Sequence, residues 1–378
     1  MTKERGTGRL LFIVNDAGYF LSHRLPLALA AQAAGWEVAV ATAPGPAQQG
    51  IAAAGFAAHS LPLSRAGLRP DREIAAVIAT WRLLRRLRPR LVHCVALKAT
   101  AIGGLASALA GVPARVFAIA GLGHVFSDNG STSRLLRWGF ARLVPLLAGP
   151  RARIILQNPD DLERLAKAGA ARTRLVLIAG SGVDLQRFVP QPEPSGPVTL
   201  LLASRMIWKK GVGHFVEAAR RLRAEGLDAR FLLAGDSDPG NPAAIPQAQL
   251  ADWAREGAVE WLGFQDDMPA LLARCHIVCL PSSYGEGVPL SLIEGAAAGR
   301  PLVTTNMPGC RAIARDGENG LLVPPDDVAA LTTALRRLIE DPALRRQMGA
   351  RGRAIAEAEF GLERVNADTL AVYRALLP

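Results

Sequence analysis

Two carboxylates, Glu286 and Glu294, stand on either side of a short turn made of Gly287, Val288, Pro289, Leu290 and Ser291. Far upstream, Arg205 and Lys210 follow an apolar run. Ionised carboxylates are strong acceptors for hydroxyl groups. Arginine grips a phosphate through two parallel hydrogen bonds, and lysine acts as a point charge. If Pro289 opens a helix, the amides of Val288, Leu290 and Ser291 point at whatever lies above, which suits a phosphate. Glu294 then lies five residues in, or about 7.5 Å along the axis at about 1.5 Å per residue. A ligand with sugar hydroxyls at one end, ribose hydroxyls at the other and a diphosphate between meets all these groups, and that ligand is a sugar nucleotide. The blander alternatives are an acidic first turn that complements the helix dipole and a solvated basic turn, the latter fitting Lys209 better than Lys210.

Such groups need a rigid frame. Residues 276–280 form a short apolar run with β-branched members, read as a buried parallel strand ending at this turn. Gly299 and Pro301 end the helix that follows. Arg205 and Lys210 come after a second such strand, 198–203, and Phe264 and Gln265 after a third, 259–263. In open α/β sheets, ligands bind at these C-terminal strand ends.

The same alternation runs through the whole chain. Strands are expected at 9–14, 37–43, 59–63, 91–95, 115–119, 153–157 and 175–178, with helices at 21–34, 71–87 and 98–110. Residues 188–197 carry four prolines and read as an extended linker. A second series follows, with strands at 198–203, 230–234, 259–263, 276–280 and 301–304, then an amphipathic helix marked by Val328, Leu331, Leu335 and Leu338. The expected fold class is α/β, in two domains with parallel sheets.

Glu286 and Glu294, with seven residues between them, match the E-x7-E motif of retaining GT-B glycosyltransferases of the group-1 family. Residues 204–211, 299–303 and 316–323 resemble further elements of that family in the right order. The resemblance implies two facing Rossmann-like domains with the site in the cleft: 1–189 for the acceptor, a linker at 190–197, 198–361 for the nucleotide sugar, and a helix 362–378 crossing back. It assigns the diphosphate to Arg205 and Lys210, the donor sugar to Glu286, and the nucleobase to the turn at Phe264 and Gln265. That turn also reads as plain helix capping by aspartates. On the first domain, Gly18 resembles the glycine loop that approaches the donor phosphates, and His23 and Arg24 face the acceptor or are ordinary surface residues. Many relatives carry a histidine where Ala120 stands here. His124 is the candidate to replace it, in a Gly-Leu-Gly variant that resembles a subgroup acting on lipid-linked sugars. His93 reads as a core residue.

A net charge of +11 and a pI of about 10.3 point to an acidic partner such as anionic lipid or a phosphate-bearing substrate. Nearly all of that charge is arginine, which composition bias alone can produce. The cysteines, Cys94, Cys275, Cys279 and Cys310, show neither zinc spacing nor a disulfide framework, so the cytoplasm is the default compartment and no metal is expected. No run reaches the roughly 20 apolar residues of a spanning helix. A dinucleotide oxidoreductase is disfavoured because none of the Gly-x-Gly pairs has the third glycine. A nucleic-acid binder is disfavoured for want of a recognition motif. The expectation is a metal-independent transferase using a nucleoside-diphosphate sugar, of unknown oligomeric state. Its alternatives are an epimerase of the same fold, which would release free epimerised donor, and a transferase with a soluble acceptor. Arg82, Arg85, Arg86, Arg88 and Arg90 at the end of one expected helix and its exit, and Arg134, Arg137, Trp138 and Arg142 on another, suggest an anionic membrane surface and a polyprenyl-diphosphate-linked acceptor.

Overall fold

The computed structural model describes residues 7–63, 69–121, 149–238 and 240–377. His124 and the basic stretch 134–142 lie outside these residues. The chain divides into two compact units, one of residues 1–181 with 363–378 and the other of residues 182–362.

The first unit is built on a seven-stranded sheet ordered β3-β2-β1-β4-β5-β6-β7, every neighbouring pair parallel. Its strands are β1 Gly8–Val14, β2 Trp36–Thr42, β3 Ala57–Ser60, β4 Leu91–Val95, β5 Ala114–Ile119, β6 Ala152–Leu156 and β7 Leu175–Leu177. The central strands are buried on both faces, which explains their unbroken apolar runs. The helix expected over 21–34 is two helices, Ala17–His23 and Leu25–Ala33. Pro26 has no amide for the preceding turn and its ring disfavours continuation, so the chain bends at Arg24. The C-terminal helix Leu362–Leu376 belongs to this unit. Its Val365, Tyr373 and Leu376 pack with Leu10, Phe12 and Trp36 on one face of the sheet.

The second unit carries a six-stranded parallel sheet ordered β10-β9-β8-β11-β12-β13. Its strands are β8 Val198–Ala203, β9 Ala229–Ala234, β10 Glu260–Trp261, β11 Ile277–Leu280, β12 Leu302–Thr305 and β13 Gly320–Val323. The expected strand 259–263 shrinks to two residues at the sheet edge, and β13 was not among the expected strands.

The proline-rich stretch 188–197 is no free linker, because it is strapped onto the second unit. Arg353 donates to the Phe188 carbonyl, Arg300 to that of Pro192 at 3.5 Å, and His276 Nε2 to that of Pro194 at 3.1 Å. Arg345 holds Glu193 through two bonds of 2.9 and 3.1 Å. Prolines offer carbonyls without amides, so side-chain donors are what can anchor such a segment.

Candidate active site

In the second sheet the strand order reverses between β8 and β11, which lie side by side. Chain leaving a sheet at such a switch point opens a crevice for ligand. Arg205 and Lys210 sit in the segment after β8, and Glu286 in the segment after β11. The fold thus brings together groups 76 positions apart in sequence.

Two close approaches hold these segments in place. Gly211 has φ +75°, and a Cβ there would stand 2.0 Å from the Pro281 carbonyl oxygen. A Cβ on Gly309 would stand 1.5 Å from the carbonyl oxygen of Gly287. Only glycine admits such contacts. Ser283 N donates to the Lys209 carbonyl at 3.0 Å, closing the two segments on each other.

Lys210 Nζ makes an ion pair with Glu286 Oε2, and the Ser282 hydroxyl donates to Glu286 Oε1 at 2.7 Å. Both charged side chains are largely buried. Behind them Thr305 Oγ1 donates to the Ser282 carbonyl, so the loop is fixed from β12 as well. Arg205 is half-exposed and its Nη1 lies 2.6 Å from Asp238 Oδ2. Tyr284 feels the charges of both Glu286 and Arg205. Burial and the Glu286 charge push its phenol up, and the Arg205 charge pulls it down.

The helix after this loop is Leu290–Ala297, with Pro289 as its cap in extended conformation rather than its first residue. The amides of Leu292 and Ile293 both meet the Pro289 carbonyl, at 3.2 and 3.3 Å. Those of Leu290 and Ser291 have no partner among the described residues, while Val288 and Gly287 are buried. Glu294 is half-buried on the same helix. Burial pushes its carboxyl up to about 7, against the pull of Arg187.

The Phe264–Gln265 turn is already hydrogen-bonded within itself. Phe264 N donates to Asp236 Oδ1 at 3.1 Å, and Gln265 Nε2 donates to the carbonyls of Leu262 and Phe264 at 2.8 and 3.0 Å. What it offers is the Phe264 ring, 67 % exposed.

On the first unit, Gly18 is not in a loop. It is the second residue of a helix capped by Asp16, whose Oδ1 accepts from Tyr19 N at 2.7 Å. His23 stacks on Tyr19 with centroids 4.1 Å apart and its Nδ1 meets the Ser22 hydroxyl at 2.7 Å. Arg24, read as cleft-facing or superficial, is buried, and its Nε has no partner among the described residues. His93 is a core residue. Its Nδ1 meets the Tyr373 hydroxyl at 2.5 Å, and burial, then the Arg24 charge, holds its imidazole well below the usual range.

Sequence reasoning missed Asp238, Ser282 as the partner of Glu286, and Gly309. The Pro-Gly-Asn-Pro run after Asp238 marks a built turn, but nothing in the spacing ties it to Arg205. All four cysteines are buried, with burial pushing each thiol up. Among the described residues no cluster of His, Cys, Asp or Glu has the makings of a metal site.

Both units match families of known proteins. A family model described as "Glycosyl transferases group 1" matches residues 197–341, and one described as "Glycosyl transferase 4-like" matches residues 9–148. The chain is 28 % identical over 296 residues to N,N'-diacetylbacillosaminyl-diphospho-undecaprenol alpha-1,3-N-acetylgalactosaminyltransferase of Campylobacter jejuni, covering 75 % of this chain and 76 % of that protein. It is 24 % identical over 286 residues to UDP-Gal:alpha-D-GlcNAc-diphosphoundecaprenol alpha-1,3-galactosyltransferase of Escherichia coli, covering 72 % of each. Among solved structures, HepE of Anabaena in complex with UDP superposes with a TM-score of 0.76 at 19 % identity, over 97 % of this chain and all of that one. The fold is GT-B, and the chain belongs to the group 1 glycosyltransferases. It is an enzyme that transfers a glycosyl group.

Proposed function

We propose that this enzyme is a retaining transferase. It moves a sugar from a nucleoside-diphosphate sugar, a UDP-sugar by preference, to a glycan on a polyprenyl diphosphate at the cytoplasmic face of the membrane. Its product belongs to cell-surface polysaccharide or glycoconjugate synthesis. The observation that carries the donor side is the cluster of Lys210, Glu286 and Ser282 with Arg205 at the switch point of the second sheet. The acceptor class is supported by the two relatives named for undecaprenol-diphosphate sugars.

In this reading Arg205, Lys210 and the amides of Leu290 and Ser291 hold the diphosphate. Glu286 orients the sugar, Glu294 accepts from the ribose, and the Phe264 ring lies against the base. The acceptor oxygen bonds to the anomeric carbon on the face from which the diphosphate leaves. The carbon–oxygen bond to phosphate breaks, and a phosphate oxygen takes the acceptor proton. No separate base is needed, and the protein supplies positioning and charge. The cations of the site replace a divalent metal. His23 is the acceptor-side candidate of the first unit, and Arg24, next in sequence, is buried rather than presenting its side chain to solvent.

Glu286→Gln is expected to lower turnover by about two orders of magnitude or more while UDP affinity stays near that of the parent. Arg205→Ala and Lys210→Ala are expected to weaken UDP in calorimetry. Unchanged turnover in the first variant, or unchanged affinity in both others, would sink this reading.

A further inference from the structure

The two proposed diphosphate cations do not stand bare. Each has an acidic partner, Glu286 for Lys210 and Asp238 for Arg205. Glu286 has a task at the donor sugar under the reading above. Asp238 has none.

Its place is nonetheless built. The segment after β9 is stitched to the one carrying Arg205. Met206 N donates to the Asp236 carbonyl, Ile245 N to that of Met206, and Trp208 N to that of Ala243, each at 2.9 Å. Asn241 N closes the turn on the Asp238 carbonyl at 2.8 Å. The Asp238 side chain is 15 % exposed and that of Arg205 48 %. The acid is the fixed member of the pair, and the long, half-exposed arginine is the one free to move.

Resting on the proposed diphosphate site, we infer that Asp238 is a resident counter-ion. It holds the Arg205 guanidinium while the site is empty and gives it up when a diphosphate arrives. Two cations with two carboxylates leave the empty site electrically balanced, so neither cation waits unpaired in a partly buried crevice. A diphosphate carries more negative charge than one carboxylate and matches the guanidinium fork, so it wins the exchange. When the nucleoside diphosphate is to depart, Asp238 takes Arg205 back. Asp238 is thus a positioning residue that lowers nucleotide affinity and speeds release.

The measurement is UDP binding by calorimetry to the full chain and to Asp238→Asn, Asp238→Ser, Arg205→Ala and the Arg205→Ala/Asp238→Asn pair. Both Asp238 variants are expected to tighten UDP by about two- to fivefold, the range of a partly exposed ion pair. The paired variant is expected to bind like Arg205→Ala alone, because Asp238 acts through Arg205. A merely structural role would weaken binding instead. Equal or weaker binding in either Asp238 variant, with Arg205→Ala still impaired, overturns the counter-ion and leaves the diphosphate site standing. No effect of Arg205→Ala overturns the site itself.

Discussion

Glu286 and Glu294 share a motif but live in unlike surroundings. Glu286 is held by Lys210 and Ser282, whereas no hydrogen bond to the Glu294 side chain occurs among the described residues. Their spacing made the pair legible in the sequence. It said nothing of the difference, because Lys210 comes from another strand end and burial is a property of the folded helix. The difference has a pH signature. The Glu294 carboxyl, ordinarily near 4.5, is pushed up to about 7 in the folded chain. Between those values the folded state holds a proton that the unfolded state has lost. Stability from this group is therefore intact below the lower value, falls as pH rises, and is gone above the upper one. Glu294→Gln in the ligand-free enzyme is expected to raise Tm at pH 8 by on the order of 2–5 °C, and far less at pH 5. Equal shifts at the two pH values would refute the assignment.

At the level of elements, alternating apolar runs and glycine-marked helix ends were enough to foretell both parallel sheets. Three features stayed hidden for physical reasons. Edge strand β10 pairs with β9 over Glu260 and Trp261 alone, which its longer apolar run does not reveal. Proline at 26 splits a helix whose apolar pattern is continuous. The strap at 188–197 is anchored by arginines and a histidine distant in sequence. The helix Pro70–Leu87 shows more than its arginines promised. Ile74, Ile78 and Trp81 are exposed along one stripe with Arg85, and Arg82 and Arg86 flank it. The neighbouring helix Leu97–Leu109, tied to its first turn by a Lys98–Glu73 ion pair of 2.7 Å, exposes Leu105 and Leu109. Aliphatics, a tryptophan and arginines together suit an anionic lipid interface. Arg85→Gln with Arg86→Gln should weaken binding to anionic vesicles in co-sedimentation by about thirtyfold, each charge contributing about 1 kcal/mol. Trp81→Ala should lower it further. Unaltered, salt-independent partitioning would remove the membrane from the account.

For the whole molecule, the excess of +11 suits a protein that handles anions, and under the proposed reading Arg205, Lys210 and the helix amides take the place of a metal cation. Enzyme stripped of metal with a chelator is expected to keep most of its activity. Complete loss, restored by manganese, would contradict that. No helix among the described residues is long and apolar enough to cross a membrane. Val183 N donates to the Phe360 carbonyl and Leu362 N to the Val183 carbonyl, both at 2.9 Å, so the second unit begins and ends at a single point. A gene segment encoding it could be exchanged for another without moving either join. The first unit, in two pieces with its last helix on the far side of that segment, has no such freedom. Recombination among such genes would exchange the second unit far more readily than the first.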